Sequence, residues 1–120
     1  ESLFGDGVSV IEIGTGNNVS LADEASFTMT GLANVGAILS VGTQRDASNQ
    51  IKYRQGLFFT NYGSATVTEL SDENNNFATS DTDGYVCVYA TSSANGNVVV
   101  KNRLGHTTVI AVSAIRCMGL

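Results

Sequence analysis

The chain has 120 residues, a net charge of −5, no proline, no tryptophan and only 14% charged residues. That length fits one domain, residues 1–120, able to bury roughly two thirds of its unfolded surface. The acidic balance argues against a nucleic-acid partner, since phosphate binding needs a basic footprint. No apolar run approaches the roughly 20 residues of a membrane-spanning helix.

Gly, Ser, Thr and Asn take the place of the missing charges, and enough apolar residues remain to exclude disorder. A chain opening at Glu1 rather than Met is expected of a mature form or an excised fragment.

Val8–Ile13 reads as a first strand, closed by the Gly14-Thr-Gly-Asn-Asn18 turn. Ser20-Leu-Ala-Asp23 has the form of a capping box and predicts the start of a short helix. That helix cannot run far, because Ala25–Thr30 falls into period two, with Phe27 and Met29 on one side. Gly36–Val41 is a third strand candidate, and Gln44–Gln50 a polar loop.

Ile51–Phe59 predicts a long strand with Ile51, Tyr53, Leu57 and Phe59 on one face, broken by Gln55. Gly56 in its middle marks a plausible bulge, which would turn Phe58 inward in place of Phe59. Asn61-Tyr-Gly63 is a turn, Ala65–Leu70 a strand, Ser71–Asn76 a polar loop, Phe77–Thr79 a short strand and Asp81–Gly84 a turn.

The chain closes with three strands, Gly84–Ala90, Val98–Leu104 and Thr107–Ile115, read as an antiparallel meander or, if they are not neighbours in space, as strands of different sheets joined by their turns. The Asn95-Gly96 pair favours a type I′ turn between the first two. About nine short strands in all predict an all-β antiparallel sandwich, jelly-roll-like and without substantial helix.

The first and last of these closing strands are apolar on both faces. Tyr85, Cys87 and Tyr89 oppose Val86, Val88 and Ala90; Val109, Ala111 and Ile115 oppose Ile110, Val112 and Ala114. In the middle strand Val99, Lys101 and Arg103 share a wetter face. A strand wet on one side alternates, so the two-faced strands predict a second covering layer. With no long helix to supply it, a symmetric contact between copies does so most simply. Closed barrel packing or a long covering loop is the other account.

No catalytic set stands out, so an enzyme is not expected, nor a cofactor. His106 is the one histidine and no nucleophile motif accompanies it; a solvent-exposed turn residue accounts for it. Cys87 and Cys117 fit either buried free thiols or a disulfide, with no second Cys or His at ligand spacing. Asp81 and Asp83 are the oxygen ligands nearest to a calcium pattern, but the spacing is not an EF-hand loop and turn chemistry explains them. No metal is expected. Tyr53, Arg54, Asn61, Tyr62, Arg45 and Asp46 lie near predicted sheet ends. Tyrosine stacks on a sugar ring while Asn, Asp and Arg bind its hydroxyls, which makes these six the candidates for ligand binding.

Helix-poor composition, Asn-rich loops and the ending Val98-Val-Val-Lys-Asn-Arg-Leu-Gly-His-Thr-Thr-Val-Ile-Ala-Val112 resemble phage receptor-binding heads. More broadly they resemble trimeric jelly rolls of the tumour-necrosis-factor and C1q type. The resemblance covers about a third of the chain. It implies a C-terminal head of a trimeric fibre on a virion or extracellular surface, binding a host saccharide. The alternative is a purely structural virion decoration or assembly subunit with protein contacts alone.

Overall fold

A computed structural model of the protein describes residues 9–13, 18–30, 36–61, 66–91 and 96–116. The strands within them are β1 (Ser9–Ile13), β2 (Val19–Leu21), β3 (Ser26–Met29), β4 (Ala37–Arg45) and β5 (Ile51–Thr60). They continue with β6 (Val67–Asp72), β7 (Phe77–Ala78), β8 (Val86–Ala90), β9 (Val98–Asn102) and β10 (Thr108–Arg116). The protein is all-β, and a single 3₁₀ turn at Glu73–Asn75 is the helical element among the described residues.

Two sheets form a sandwich. The larger runs β1-β10-β4-β5-β6, with β2 also pairing to β10; the smaller runs β3-β9-β8-β7. All pairs are antiparallel except β7 with β8. The chain changes sheet on entering and leaving β3, between β6 and β7 and between β9 and β10, as jelly rolls do, while β4, β5 and β6 form a meander.

The alternating strands fill the space between the sheets. Leu39 and Val41 of β4, Phe58 of β5 and Ile110 and Val112 of β10 meet Val86, Val88, Val98 and Val100 of the smaller sheet in one buried cluster. Each such side chain contributes about 1.5–3 kcal/mol by leaving water. Gly56 is part of this geometry. A Cβ there would lie 2.8–2.9 Å from ring atoms of Phe58 and Phe77, so the missing side chain is what admits the pair.

Three expectations are corrected. The Ser20–Asp23 segment starts no helix: Ser20 and Leu21 pair with β10, and a tight turn follows in which Ala25 donates to the Ala22 carbonyl at 3.0 Å. Ladder bonds to the long β10, central in its sheet, outweigh a local cap. Next, the apolar set of β5 faces outward. Ile51, Tyr53 and Leu57 are exposed and Phe59 half-buried, while Gly56, Phe58 and Thr60 point in. The register shift expected near Gly56 occurs against β6, between Leu57 and Phe58.

Finally, the closing strands are not one meander. β8 and β9 pair, but β10 lies in the opposite sheet between β1 and β4. The Leu104–Thr107 turn is therefore an arch between sheets, built on the buried Asn102. Its Nδ2 donates to the Leu21 carbonyl at 2.9 Å and to the His106 carbonyl at 2.7 Å, and its Oδ1 accepts from Leu104 N at 2.9 Å. Asn95 lies outside the described residues; Gly96 beside it has the positive φ of 61° expected of that turn.

Candidate functional site

The outer faces of the two sheets differ. On the smaller sheet, Cys87 and Lys101 are register partners on the outer side, and the chain itself covers them. Thr82 donates its N–H to the Cys87 sulfur at 3.3 Å, and the thiol reaches the Thr82 carbonyl at the same distance. Asp81 bridges Lys101 at 3.2 Å and Arg103 at 3.1 Å, and Glu24 reaches Arg103 at 3.2 Å. The bond from Lys101, more than its charge, holds the Asp81 carboxyl below the ordinary value. Burial pushes the Cys87 thiol up, so it stays protonated at neutral pH. The second apolar face of β8 thus has an intramolecular cover.

The larger sheet has none among the described residues. Register places Ile115, Ile38 and Phe59 in one row across β10, β4 and β5, with Ser113, Ser40 and Leu57 in the next. Ile115, Ile38 and Leu57 are 40%, 41% and 37% exposed. Toward the β4–β5 hairpin the same face becomes polar. There Gly42 and Ala111 form the floor of an open groove of about 620 Å³, walled by Tyr53, Gln55, Gln44 and Asn18. Tyr53 is 71% exposed, which leaves its ring free to stack. Gln55 is held in place: its side chain donates to Ser40 Oγ and its N–H to Glu73 Oε1. Such a surface, one aromatic face with amides around a flat floor, suits a polyhydroxylated ring.

The six candidate ligand residues divide. Tyr53 and Arg54 border the groove. Arg45 and Asp46 lie at the same end but serve the hairpin loop. Arg45 Nη1 donates to the Asn49 carbonyl at 3.0 Å, and Asp46 Oδ1 accepts from Ser48 N at 3.0 Å, Ser48 Oγ at 2.6 Å and Gln50 N at 3.3 Å. The Ser48 hydroxyl is the main reason that carboxyl titrates low. Asn61 is at the far end of β5, where its amide donates to the Thr66 hydroxyl just before β6. Tyr62 lies outside the described residues, as does Cys117.

Asp81 and Asp83, the weak calcium candidates, face basic side chains. Asp81 is committed to Lys101 and Arg103, Asp83 reaches Arg103 at 3.7 Å, and no group of three potential metal ligands occurs among the described residues. His106 is half-buried rather than freely solvated, its Nε2 2.7 Å from the Asp46 carbonyl, where it ties the arch to the β4–β5 hairpin. Cys87 is a buried free thiol.

Sequence reasoning missed Gly42, Gln44 and Ala111. One signal existed for the groove: Gln55 breaks an otherwise apolar face, and it breaks it where the groove begins. No helix among the described residues is long and apolar enough to cross a membrane. Compared with known proteins, the chain matches no protein-family model, no curated protein and no solved structure.

Proposed function

We propose that this sandwich is a non-enzymatic binding and assembly module of a virion or extracellular appendage. It self-associates, as a trimer, through the apolar half of its larger sheet, and recognises a saccharide at the groove beside it. One observation carries the reading: the smaller sheet covers its outer face with its own loop, whereas Ile38, Leu57, Phe59 and Ile115 leave the larger sheet's face open. Burying each of these side chains fully against a copy contributes about 1.5–3 kcal/mol at most, less what is already hidden. The likeness to phage receptor-binding heads supports the trimer and the location on a virion.

The groove separates this reading from a purely structural decoration subunit. An exposed tyrosine over Gly42 and Ala111, beside the Gln44, Gln55 and Asn18 amides, supports the saccharide half of the reading. Multi-angle light scattering tests the assembly: a particle near three times the 12.5 kDa chain mass is expected, and a stable monomer at micromolar concentration overturns it. A glycan array tests recognition, and an array without any bound saccharide removes that half.

A further inference from the structure

Two glycines interrupt the interior strands of the larger sheet, and they differ in what holds them there. Gly56 points into the core, where a Cβ would lie 2.8–2.9 Å from the Phe58 and Phe77 rings. Gly42 points outward from β4, and packing does not explain it. Among the described residues, a Cβ there would meet the Arg54 and Ala111 carbonyl oxygens at 3.9 and 4.0 Å, which is ordinary contact. Its φ is not positive, and it pairs in register with Ala111 on one side and Gln55 on the other. A glycine inside a strand costs stability relative to alanine, since it loses more backbone freedom on folding and brings no side chain to pack. Where neither φ nor packing requires it, such a glycine marks a close approach to the backbone.

The approach is from the groove. Ladders to both neighbouring strands take up the backbone N–H and C=O groups of β4, so the floor presents carbon and hydrogen rather than free donors. Polar groups stand at the border instead, in the Gln44, Gln55 and Asn18 amides, with the exposed Tyr53 ring beside them. An apolar floor with a polar border matches a pyranose lying flat, whose faces are C–H groups and whose hydroxyls project around the rim. The charge at the border is negative. Glu73 is held there by the Gln55 N–H at 3.1 Å. Arg54 reaches the groove at its carbonyl, while its side chain turns inward with its register partner, the buried Thr43. A carboxylate at the border of a chain of net charge −5 repels an acidic sugar.

We infer that Gly42 is the specificity-determining residue of the groove: its missing side chain lets a neutral pyranose settle on the β4 backbone within reach of the border amides. A side chain at this position would lift the ring off the floor and away from them. The saccharide rests on the function proposed above; the absence of a folding role for Gly42 does not.

The test compares the full wild-type chain with Gly42→Ala and Gly42→Val. Urea unfolding at equal protein concentration is expected to give Gly42→Ala a midpoint higher by roughly 0.3–0.5 M. The Gln55 and Ala111 amide resonances are followed by NMR during titration with methyl β-D-glucopyranoside, methyl β-D-galactopyranoside, N-acetylglucosamine and sodium glucuronate. At least one of the three neutral sugars is expected to shift them saturably, and glucuronate is expected to bind more weakly than the best of the three. Gly42→Ala is expected to weaken that binding about tenfold, and Gly42→Val further. A lowered midpoint for Gly42→Ala, unchanged affinity in the folded variants, or glucuronate as the tightest of the four overturns the inference and leaves the saccharide reading standing. A change of particle mass in the variants by light scattering overturns it too, because the space then serves a contact between copies. Resonances unmoved by all four sugars also overturn it: a glycan array that still binds a saccharide confines the failure to Gly42 and the neutral ring, whereas an empty array takes the saccharide reading with it.

Discussion

The Phe58 and Phe77 rings meet edge to face across the two sheets, their centroids 5.8 Å apart and their planes at 74°. Phe58 comes from the larger sheet and Phe77 from the smaller, so this contact joins the two layers, and Gly56 is the gap both rings occupy. Gly56→Ala is therefore expected to destabilise by about 1–3 kcal/mol through overpacking, and Phe58→Ala by about 3–5 kcal/mol through the cavity it leaves. Urea unfolding monitored by circular dichroism measures both. A Gly56→Ala protein as stable as the wild type would show that the rings move aside freely.

Asn102 organises the arch that carries the chain from β9 to β10. Replacing it with Ala leaves the Leu21 and His106 carbonyls and the Leu104 N–H without their partner. The expected loss is roughly 3 kcal/mol, from the cost of buried unmade bonds. Leu104 amide exchange should accelerate with it. Unchanged protection there would mean that the backbone alone holds the arch.

Alkaline pH should destabilise the fold. Burial pushes both the Cys87 thiol and the Tyr89 phenol up. The unfolded chain then releases these protons at lower pH than the native one. The stability they lend is complete below the thiol's ordinary 9.0 and is lost as pH climbs through the raised native values. Denaturant midpoints across pH 8 to pH 11 (a range set by the ordinary thiol and phenol values) measure the slope, and Cys87→Ala should flatten its first part. A thiol reagent should modify Cys87 only as fast as the protein opens; rapid labelling of the native state contradicts its burial.

Acid acts with the opposite sign. The Asp46 and Asp81 carboxyls are held below their ordinary 3.8, by Ser48 and by Lys101 respectively. Their contribution is present above 3.8 and is lost as pH falls through the lower native values. Glu69, pushed up by burial, opposes this. Asp81→Asn should make the acid limb of the stability curve shallower while also loosening the cover over Cys87. A curve indistinguishable from wild type would show that the ion pairs with Lys101 and Arg103 contribute nothing.

The two halves of the outer face should separate by mutation. Ile38→Asp puts a charge into the apolar row and is expected to give a folded monomer by light scattering. Tyr53→Ala should keep the oligomer and lose saccharide binding, because the aromatic face on which the sugar ring packs is removed. An Ile38→Asp protein that stays oligomeric would place the contact elsewhere on the surface.

Much of the architecture is legible in the residues. Strand positions follow from β-branched runs and Gly or Asn turns, and they recur within a few residues: Ile51–Phe59 is expected and Ile51–Thr60 is found. The polar outer side of β9 is likewise visible in Lys101, with Arg103 just past the strand's end. Face assignment is less legible. In β5 the odd positions carry more apolar bulk, yet the even ones are inside, because Gly56 and Phe58 together fill the volume that Phe77 leaves. A periodicity identifies two faces and does not say which of them the other sheet will cover.

By itself, the sequence determined an all-β chain of short strands, with two strands too apolar to have a wet side. Those properties are local: they come from side-chain branching, alternation and turn chemistry. The tertiary structure alone decided what covers them. It moved β10 across the Asn102 arch into the larger sheet, folded Asp81 and Thr82 over Cys87, and left Ile38 and Ile115 open. It also brought Tyr53, Gln55 and Gly42 into one groove. Such pairings join residues far apart in the chain, and their energy depends on shape and on the competition for partners, neither of which is written in any local run of residues.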